Sequence, residues 1–356
     1  MGIDLGDLVV RHPTEPAAYA GRTVAFDAWN ILYQFLANIR QPDGTPLMDR
    51  EGRVTSHLSG VLYRTANLVE AGIRPVFVFD GEPHHLKRET LAQRAARREA
   101  AQEAYEAAVA AGETEKAYSK AQQTSRLTPS MAEGAEELLD ALGVPVVRAP
   151  ADGEAEAAVL CAAGRVEAVC SQDFDALLYG APRLLRNLTV TGRRKLPGKQ
   201  VWVDVAPEEV RLEETLERTG LTRERLIDVA LLVGTDFNPG IKGIGPKKAL
   251  ALIQREGGLE PLLERLAADP GSADSAMERA LLEQHEALAE RDEIRRIFLE
   301  PVGTEEVDLS LRPPDADAVR QIMVERHGFD RDRVDGALQR FGAARSRQAQ
   351  QSLFDF

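Results

Sequence analysis

Four short apolar runs in the first half of the chain constrain its fold more than any other feature. They occupy residues 23–28, 74–81, 144–150 and 167–173. Each run is rich in apolar or β-branched residues and is bounded by turn formers, which predicts a strand. Helical patterns lie between the runs, for example at residues 57–72 and 130–143. Strands that alternate with helices predict an α/β fold with a mostly parallel central sheet flanked by helices on both faces.

Acidic residues stand at or just after the end of each predicted strand. The set is Asp27, Asp80, Asp152, Glu154, Asp173 and Asp175. Ligands of parallel sheets bind beyond the carboxyl ends of the strands, so these side chains are expected to converge at one edge. Taken singly, an acid in such a position is more often a turn residue or a helix cap, and Asp152 could be only a cap. Their coincidence at four strand ends favours a shared site.

The chemistry of this cluster indicates hard divalent cations. Crowded carboxylates raise one another's pKa and cannot satisfy one another. Oxygen ligands without histidine or cysteine are typical of Mg²⁺ or Mn²⁺. On an extended segment Asp173 and Asp175, two residues apart, would point the same way. Asp152 and Glu154 would be presented by the turn before a helix and by its opening turn.

Positive charge is concentrated in two islands, although the 356-residue chain has a formal net charge of −13. Residues 181–200 and 238–255 contain arginines and lysines but no acid. Such islands favour a phosphate-binding face. The acidic remainder fits a halophilic cytoplasm or a GC-rich genome equally well. Two cysteines without a CxxC pair, and the lack of a basic and apolar leader, predict a cytoplasmic protein.

Residues 223–256 predict a helix-turn-helix-type motif that binds duplex DNA. A glycine-rich turn separates two helical patterns, and exposed backbone N–H groups backed by lysines are suited to a phosphate. The residues expected to hold that phosphate are Gly243, Gly245, Lys247 and Lys248. The turn also contains a seventh acid, Asp236.

Six segments in order carry a resemblance to a known family: MGIDLGDL, FDAWNILYQFL, VFVFDGEPHHLKRETLAQR, APADGEAEAAVLC, CSQDFDALLYG and GTDFNPGIKGIGPKKAL. Through residues 1–257 the chain is similar to the flap structure-specific endonucleases of archaeal type. This resemblance implies the PIN-like fold of the 5′-nuclease superfamily. It also implies cleavage of 5′ DNA flaps, with 5′–3′ exonuclease activity, in replication and base excision repair. The implied cofactors are two Mg²⁺ ions, which Mn²⁺ can replace, and a K⁺ ion at the helix-turn-helix-type motif.

The resemblance also assigns ligands. The family's metal-site carboxylates fall on Asp27, Asp80, Asp152, Glu154, Asp173, Asp175 and Asp236. Asp152 stands where the family usually has a glutamate, and Glu156 is the alternative ligand. A shorter side chain at this position would hold its metal through water.

Further residues are implied to meet DNA. Lys87 and Arg94 match a lysine and an arginine that neutralise the scissile phosphate. Seven residues are nearly two helical turns, which places Lys87, Arg94 and Arg98 on one face, although Arg98 also fits a solvated helix. Tyr33 matches an aromatic residue that stacks on a base, and core packing is its alternative. Additional duplex contacts are expected from Arg193, Arg194 and Lys195 in the first basic island.

The expected organisation is an N-terminal nuclease region (1–105), a helical arch or gateway (83–126), an internal nuclease region (122–257), a C-terminal helical region (258–341) and a flexible tail (342–356). The tail residues Gln350, Leu353, Phe354 and Phe356 resemble a box that binds the sliding clamp PCNA. That box normally closes with two adjacent aromatic residues, and the second is missing here. The alternative to clamp binding is an apolar tail that folds back onto the body of the protein. We expect a monomer whose partners are branched or flapped DNA and the clamp, with no membrane.

Three other readings stay open at this point. An exonuclease-type or excision-repair-type relative is the nearest, although the excision-repair type carries a long insertion where this chain has a short arch. A junction-binding scaffold without cleavage would have lost carboxylates. A PIN-type ribonuclease would lack the GIGPKKAL turn.

Overall fold

The computed structural model describes most of the chain. The described residues are 3–41, 44–88, 90, 92, 96, 99–101, 103–104, 107, 126–190, 193–195, 202–304 and 306–354, without the side chains of 193–195, 202–204 and 344–354. Arg94, Arg98 and Phe356 lie outside the described residues, as does much of the predicted arch. No helix in the described ranges is long and apolar enough to cross a bilayer.

A seven-stranded sheet forms the centre of the fold. Its strands are β1 (Arg11–Pro13), β2 (Thr23–Asp27), β3 (Arg74–Phe79), β4 (Val146–Arg148), β5 (Ala168–Cys170), β6 (Arg183–Arg186) and β9 (Glu208–Arg211). Their order is β1-β9-β6-β5-β2-β3-β4. The five strands from β6 to β4 pair in parallel, and β9 and β1 add an antiparallel edge. The predicted mostly parallel sheet is confirmed.

A second, two-stranded antiparallel sheet joins β7 (Arg193–Lys195) to β8 (Trp202–Asp204). The first basic island therefore contains one strand of this pair, β7, and β8 follows just after the island. The three cationic residues predicted to contact duplex form the whole of β7.

Helices cover both faces of the central sheet. They are α1 (Ala28–Asn38), α2 (Ser56–Glu70), α3 (Pro129–Ala141), α4 (Gly153–Ala162), α5 (Asp175–Leu178), α6 (Leu212–Thr219), α7 (Arg223–Val233), α8 (Pro246–Glu256), α9 (Leu259–Ala268), α10 (Ala276–Glu283), α11 (Arg291–Leu299), α12 (Ala316–Arg320) and α13 (Arg331–Phe354). The two helical patterns predicted at 57–72 and 130–143 correspond to α2 and α3. Gly143 follows the end of α3 with a φ of 70°, a conformation that glycine adopts at low cost.

The strands divide their side chains between two hydrophobic clusters because successive residues of a strand face opposite sides. In β3, Val76 and Val78 enter one cluster, whereas Phe77 and Phe79 enter the other. The valine side packs against α4, α7 and α8, and the phenylalanine side packs against α1, α2 and α3. This arrangement explains why the central strands read as continuous apolar runs.

The C-terminal region contributes to both faces of the sheet. Phe298 of α11 lies in the valine-side cluster, whereas Val319 and Val334 lie in the other. The backbone of residues 342–354 continues α13, whereas the sequence predicted a flexible tail there. The alanine, arginine and glutamine of this segment have high helix propensity, which agrees with this backbone conformation.

Candidate active site

Strands β2 and β3 deliver Asp27 and Asp80 to the same edge of the sheet. Asp27 is the last residue of β2 and caps α1, because its Oδ1 accepts a hydrogen bond from Asn30 N at 3.1 Å. Asp80 follows β3, and its Oδ1 accepts a hydrogen bond from Gly153 N at 2.7 Å. A Cβ at Gly153 would lie 2.9 Å from that oxygen, so the close approach needs a glycine.

The start of α4 presents Asp152 and Glu154 as the spacing predicts. Asp152 caps the helix by accepting a hydrogen bond from Glu154 N at 3.0 Å. Glu154 lies in the first turn, only 6% exposed, and its Oε1 accepts from Ala176 N at 3.1 Å. Asp152 is therefore a helix cap and a member of the cluster at once.

The geometry predicted for Asp173 and Asp175 is wrong. The strand ends at Cys170, so these residues are not two apart on an extended segment; Asp173 lies in a bend and Asp175 begins α5. Asn30 helps to form this bend, because its Oδ1 accepts from Gln172 N at 3.2 Å. Both carboxylates nevertheless turn into the cluster, where burial and then the charges of Asp236 and Asp173 raise the pKa of Asp175.

Three of the carboxylates are strongly perturbed by burial and by one another. Burial and the charge of Asp80 raise the pKa of Asp27 well above its ordinary value. Burial and the charge of Asp175 raise the pKa of Glu154 in the same way. Burial and the charge of Asp236 raise the pKa of Asp175. These acids are therefore electrostatically coupled at one edge of the sheet, although no three of them in the described part of the chain have ligand oxygens within 4.8 Å of one another.

Asp80 links the two sides of that site. The residue as a whole is exposed, but its carboxyl group turns toward α4, where desolvation and the charge of Asp152 raise its pKa to about 6. Asp236, in the turn after α7, raises it further. All seven predicted carboxylates are therefore electrostatically connected.

Lys87 makes an ion pair with Asp152 inside the cluster. The two side chains are each 17% exposed. Burial alone would raise the pKa of Asp152, but Lys87 outweighs it, and that pKa lies below its ordinary value. The Lys87 ammonium also lies 5.3 Å from the centre of the Phe237 ring, and Tyr179 donates a hydrogen bond to Asp152 at 3.0 Å.

Glu156, the alternative ligand, faces a different part of the molecule. It is fully buried on α4, and its Oε2 accepts a hydrogen bond from Thr304 N at 2.8 Å. Burial raises its pKa, and none of the cluster carboxylates contributes to that shift. Asp152 and Glu154 thus face the cluster, and Glu156 faces the C-terminal segment.

The donor set fits hard divalent cations. It consists of carboxylate oxygens, whose burial and mutual repulsion keep several pKa values raised, and Lys87 offsets only one unit of charge. A divalent cation among these oxygens would lower those pKa values and relieve the repulsion.

Tyr33 lies on α1 with 37% of its surface exposed, whereas Leu32 and Leu36 beside it are buried. This exposure argues against the alternative that Tyr33 belongs to the core. It leaves the ring accessible to a base, as the stacking prediction requires.

The helix-turn-helix-type motif is formed by α7 and α8, with Pro246 at the first turn of α8. Gly243 in the connecting turn has a φ of 93° and open space around its Cβ position. Lys248 donates a hydrogen bond to Gly243 O at 2.9 Å, while Lys247 lies 3.3 Å from the carboxylate of Asp7. Gly245 is the N-cap of α8, so the first backbone N–H groups of this helix, beginning with Lys247, lack partners within the helix.

Sequence reasoning missed Asn30, which orients two ligands. Besides its contacts to Asp27 and Gln172, it donates from Nδ2 to Asp173 Oδ2 at 3.0 Å. Its place three residues after the end of β2, within FDAWN, was the available signal. It also missed Tyr179, whose partner, Asp152, lies in another segment.

Acidic strand ends joined to a cationic turn that can receive a phosphate backbone define a nuclease of the divalent-cation-dependent class. Family models agree: residues 5–101 match the XPG N-terminal domain and residues 143–236 match the XPG I-region. The chain belongs to the flap endonuclease family.

Individual relatives match almost the whole chain. Flap endonuclease 1 of Aeropyrum pernix is 48% identical over 97% of this chain and 95% of its own length. A solved structure of flap endonuclease-1 from Methanococcus jannaschii is 37% identical, covers 98% of this chain and 100% of its own, and has a TM-score of 0.73. The solved catalytic core of Rad2 in complex with DNA substrate is 25% identical, covers 94% of this chain and 96% of its own, and has a TM-score of 0.67.

Proposed function

We propose that this chain cuts 5′ flaps from branched DNA and removes nucleotides from 5′ ends, serving Okazaki fragment maturation and base excision repair. The observation that carries the proposal is the group of carboxylates at the carboxyl edge of the sheet, several of them with raised pKa values. Such a cluster is costly to bury unless cations compensate it, and phosphodiester hydrolysis uses such cations.

The cations would be two Mg²⁺ ions, replaceable by Mn²⁺. The residues that would hold them are Asp27, Asp80, Asp152, Glu154, Asp173, Asp175 and Asp236. When bound, the ions supply activation of water and neutralisation of charge on the phosphate. Lys87 and Arg94 would place positive charge beside the scissile phosphate, and Tyr33 would stack on a neighbouring base.

Duplex DNA would be held at a distance from the cut by the turn between α7 and α8. Gly243 and Gly245 would offer backbone N–H groups to a phosphate, with Lys247 and Lys248 beside them. A K⁺ ion bound by backbone carbonyls would belong to the same turn. Arg98 and the cationic residues of β7, namely Arg193, Arg194 and Lys195, would extend this contact.

The C-terminal end would bind the sliding clamp. Gln350, Leu353 and Phe354 fall on the last turns of α13, and Phe356 follows it. Tethering to the clamp would raise the effective concentration of the enzyme at replicating DNA.

We also propose that the enzyme acts as a monomer. Its proposed regions are the N-terminal nuclease region (1–105), the arch (83–126), the internal nuclease region (122–257), the C-terminal helical region (258–341) and the tail (342–356).

Digestion of an end-labelled double-flap substrate, with and without Mg²⁺, tests the proposal. Asp173→Asn should abolish Mg²⁺-dependent cutting but leave flap binding nearly unchanged. Asp317→Asn is the control for the same chemical change at the surface, because the Asp317 side chain is 96% exposed and pairs with Arg320 outside the cluster, so this variant should cut normally. Equal cutting by both variants would reject the metal role of Asp173. A wild-type protein that binds the flap in Mg²⁺ without cutting it would reject the nuclease assignment.

A further inference from the structure

Two histidines and a glutamate meet outside the carboxylate cluster. His84 and His85 lie between β3 and Lys87, and Glu293 lies in the first turn of α11. One ligand atom of each residue lies within 4.8 Å of the other two. We propose that these three side chains bind a divalent transition-metal ion such as Zn²⁺, separate from the ions of the active site.

The distances suit a small tetrahedral ion. His84 Nε2 lies 3.4 Å from Glu293 Oε1, and His85 Nε2 lies 3.7 Å from the same oxygen. Two ligands that each lie 2.0–2.1 Å from Zn²⁺ at tetrahedral angles are about 3.4 Å apart. Small rotations of these partly exposed side chains would therefore bring all three atoms onto one ion, with the fourth position left to water.

The ligand chemistry separates this site from the active site. Two imidazole nitrogens and one carboxylate oxygen favour Zn²⁺ and its neighbours, whereas the all-oxygen cluster favours Mg²⁺. Excess Mg²⁺ should therefore fill the cluster without displacing a transition metal from the imidazoles. The side chains of His84, His85 and Glu293 are 31%, 56% and 27% exposed, so an ion can reach them from solvent.

The His84 ring is already positioned by its surroundings. It meets the Phe237 ring edge to face at 6.1 Å, and Phe237 meets Phe298 of α11 in the same way at 5.5 Å. Leu86 packs against the core beside it. Holding a ligand in place before the ion arrives reduces the entropy lost on binding.

Two features oppose binding. Leu86 N donates to His84 Nδ1 at 3.3 Å, so a metal on Nε2 requires the proton to move to Nδ1 and this long hydrogen bond to break. Lys87 and Arg296 add positive charge near His84. The site should consequently be weaker than a closed structural zinc site with four protein ligands.

A bound ion would join two distant parts of the chain. His84 and His85 lead directly to Lys87, and Glu293 belongs to the C-terminal region. The ion would clamp the segment that carries Lys87 to α11. It would thereby restrain the start of the predicted arch without any contact to the scissile phosphate.

Zn²⁺ titration of the full-length protein in saturating Mg²⁺ tests the site. Wild type should bind one more Zn²⁺ equivalent than His85→Gln or Glu293→Gln, whose affinity should fall by more than about tenfold. His12→Gln is the matched control, since His12 pairs with Glu214 and should keep wild-type binding. Equal binding by all four proteins, or equal loss in His12→Gln, overturns the proposal.

Two further measurements separate this site from the active site and from misfolding. An Asp173→Asn background should keep the extra Zn²⁺ equivalent, so that failure of the nuclease proposal and failure of this one are distinguishable. Zn²⁺ should raise the melting temperature of wild type but not of His85→Gln, while both give the same circular dichroism spectrum. A Zn²⁺-soaked crystal whose anomalous signal is absent between His84 and Glu293 would also refute the site.

Discussion

Replacing Lys87 by methionine and Asp152 by asparagine, singly and together, measures how strongly the fold relies on the ion pair inside the carboxylate cluster. Both side chains are 17% exposed, which places the pair between the surface and the interior. Exposed pairs contribute about 0–1 kcal/mol, whereas loss of one partner of a buried pair costs about 3–5 kcal/mol. We therefore expect a coupling free energy of about 2 kcal/mol at neutral pH in EDTA.

The pH dependence of that coupling follows from the two pKa shifts. Lys87 lowers the pKa of Asp152, so this stabilisation is present above the unfolded-state pKa of about 4 and is lost as the pH falls through the lower folded-state value. Asp152 raises the pKa of Lys87, against the opposing effect of burial, so the stabilisation is complete below about pH 10 and is lost at higher pH. The coupling should accordingly be largest between these limits.

Urea unfolding of the four proteins of the cycle gives the coupling directly. A value below about 0.5 kcal/mol would place the pair among ordinary surface pairs and refute the burial argument. Mg²⁺ should reduce the coupling, because a cation at Asp152 competes with Lys87 for the same oxygen. On the flap substrate, Lys87→Met should lower kcat/KM by about 10²–10³-fold, and an unchanged value would remove Lys87 from the catalytic role.

Three further predictions concern stability, DNA and the clamp. Because the pKa values of Asp27, Glu154 and Asp175 are raised in the folded protein, its stability in EDTA should fall as the pH rises from about 4 through these raised values. Mg²⁺ should restore that stability at neutral pH. A melting temperature that does not change with pH in EDTA would contradict this. Lys248→Met should weaken duplex binding and reduce the slope of log affinity against log salt by about 1, whereas an unchanged slope would exclude a phosphate contact. Truncation after Ala349 should leave intrinsic cutting unchanged and abolish stimulation by the clamp, and persisting stimulation would rule out the tail as the tether.

The fold class and most of the cluster were predictable because they depend on local patterns. Apolar runs bounded by turn formers marked β2 and β3, and the acids just after such runs had to share one edge of a parallel sheet. The Asp152 cap and the first-turn position of Glu154 follow from a few neighbouring residues, as does Pro246 at the start of α8.

Other features of the site depended on how distant segments meet. The end of β5 at Cys170, rather than at Asp173, reflects the bend that Asn30 stabilises from another segment. Lys87 and Asp152, separated by 65 residues, pair because β3 and β4 are neighbours in the sheet. The sequence left Glu156 as an alternative metal ligand. Its hydrogen bond from Thr304 N shows that it faces the C-terminal segment rather than the carboxylate cluster.

The sequence by itself therefore determined the alternation of strands and helices, the acids at the strand ends and the glycine-rich turn, since each is set by steric and hydrogen-bonding preferences within a few residues. The tertiary structure decided which of those acids are buried together, where Lys87 is held and that His84, His85 and Glu293 meet. Such contacts join residues far apart in the chain, and their geometry depends on strand register and helix orientation, which exist only once both faces of the sheet are packed.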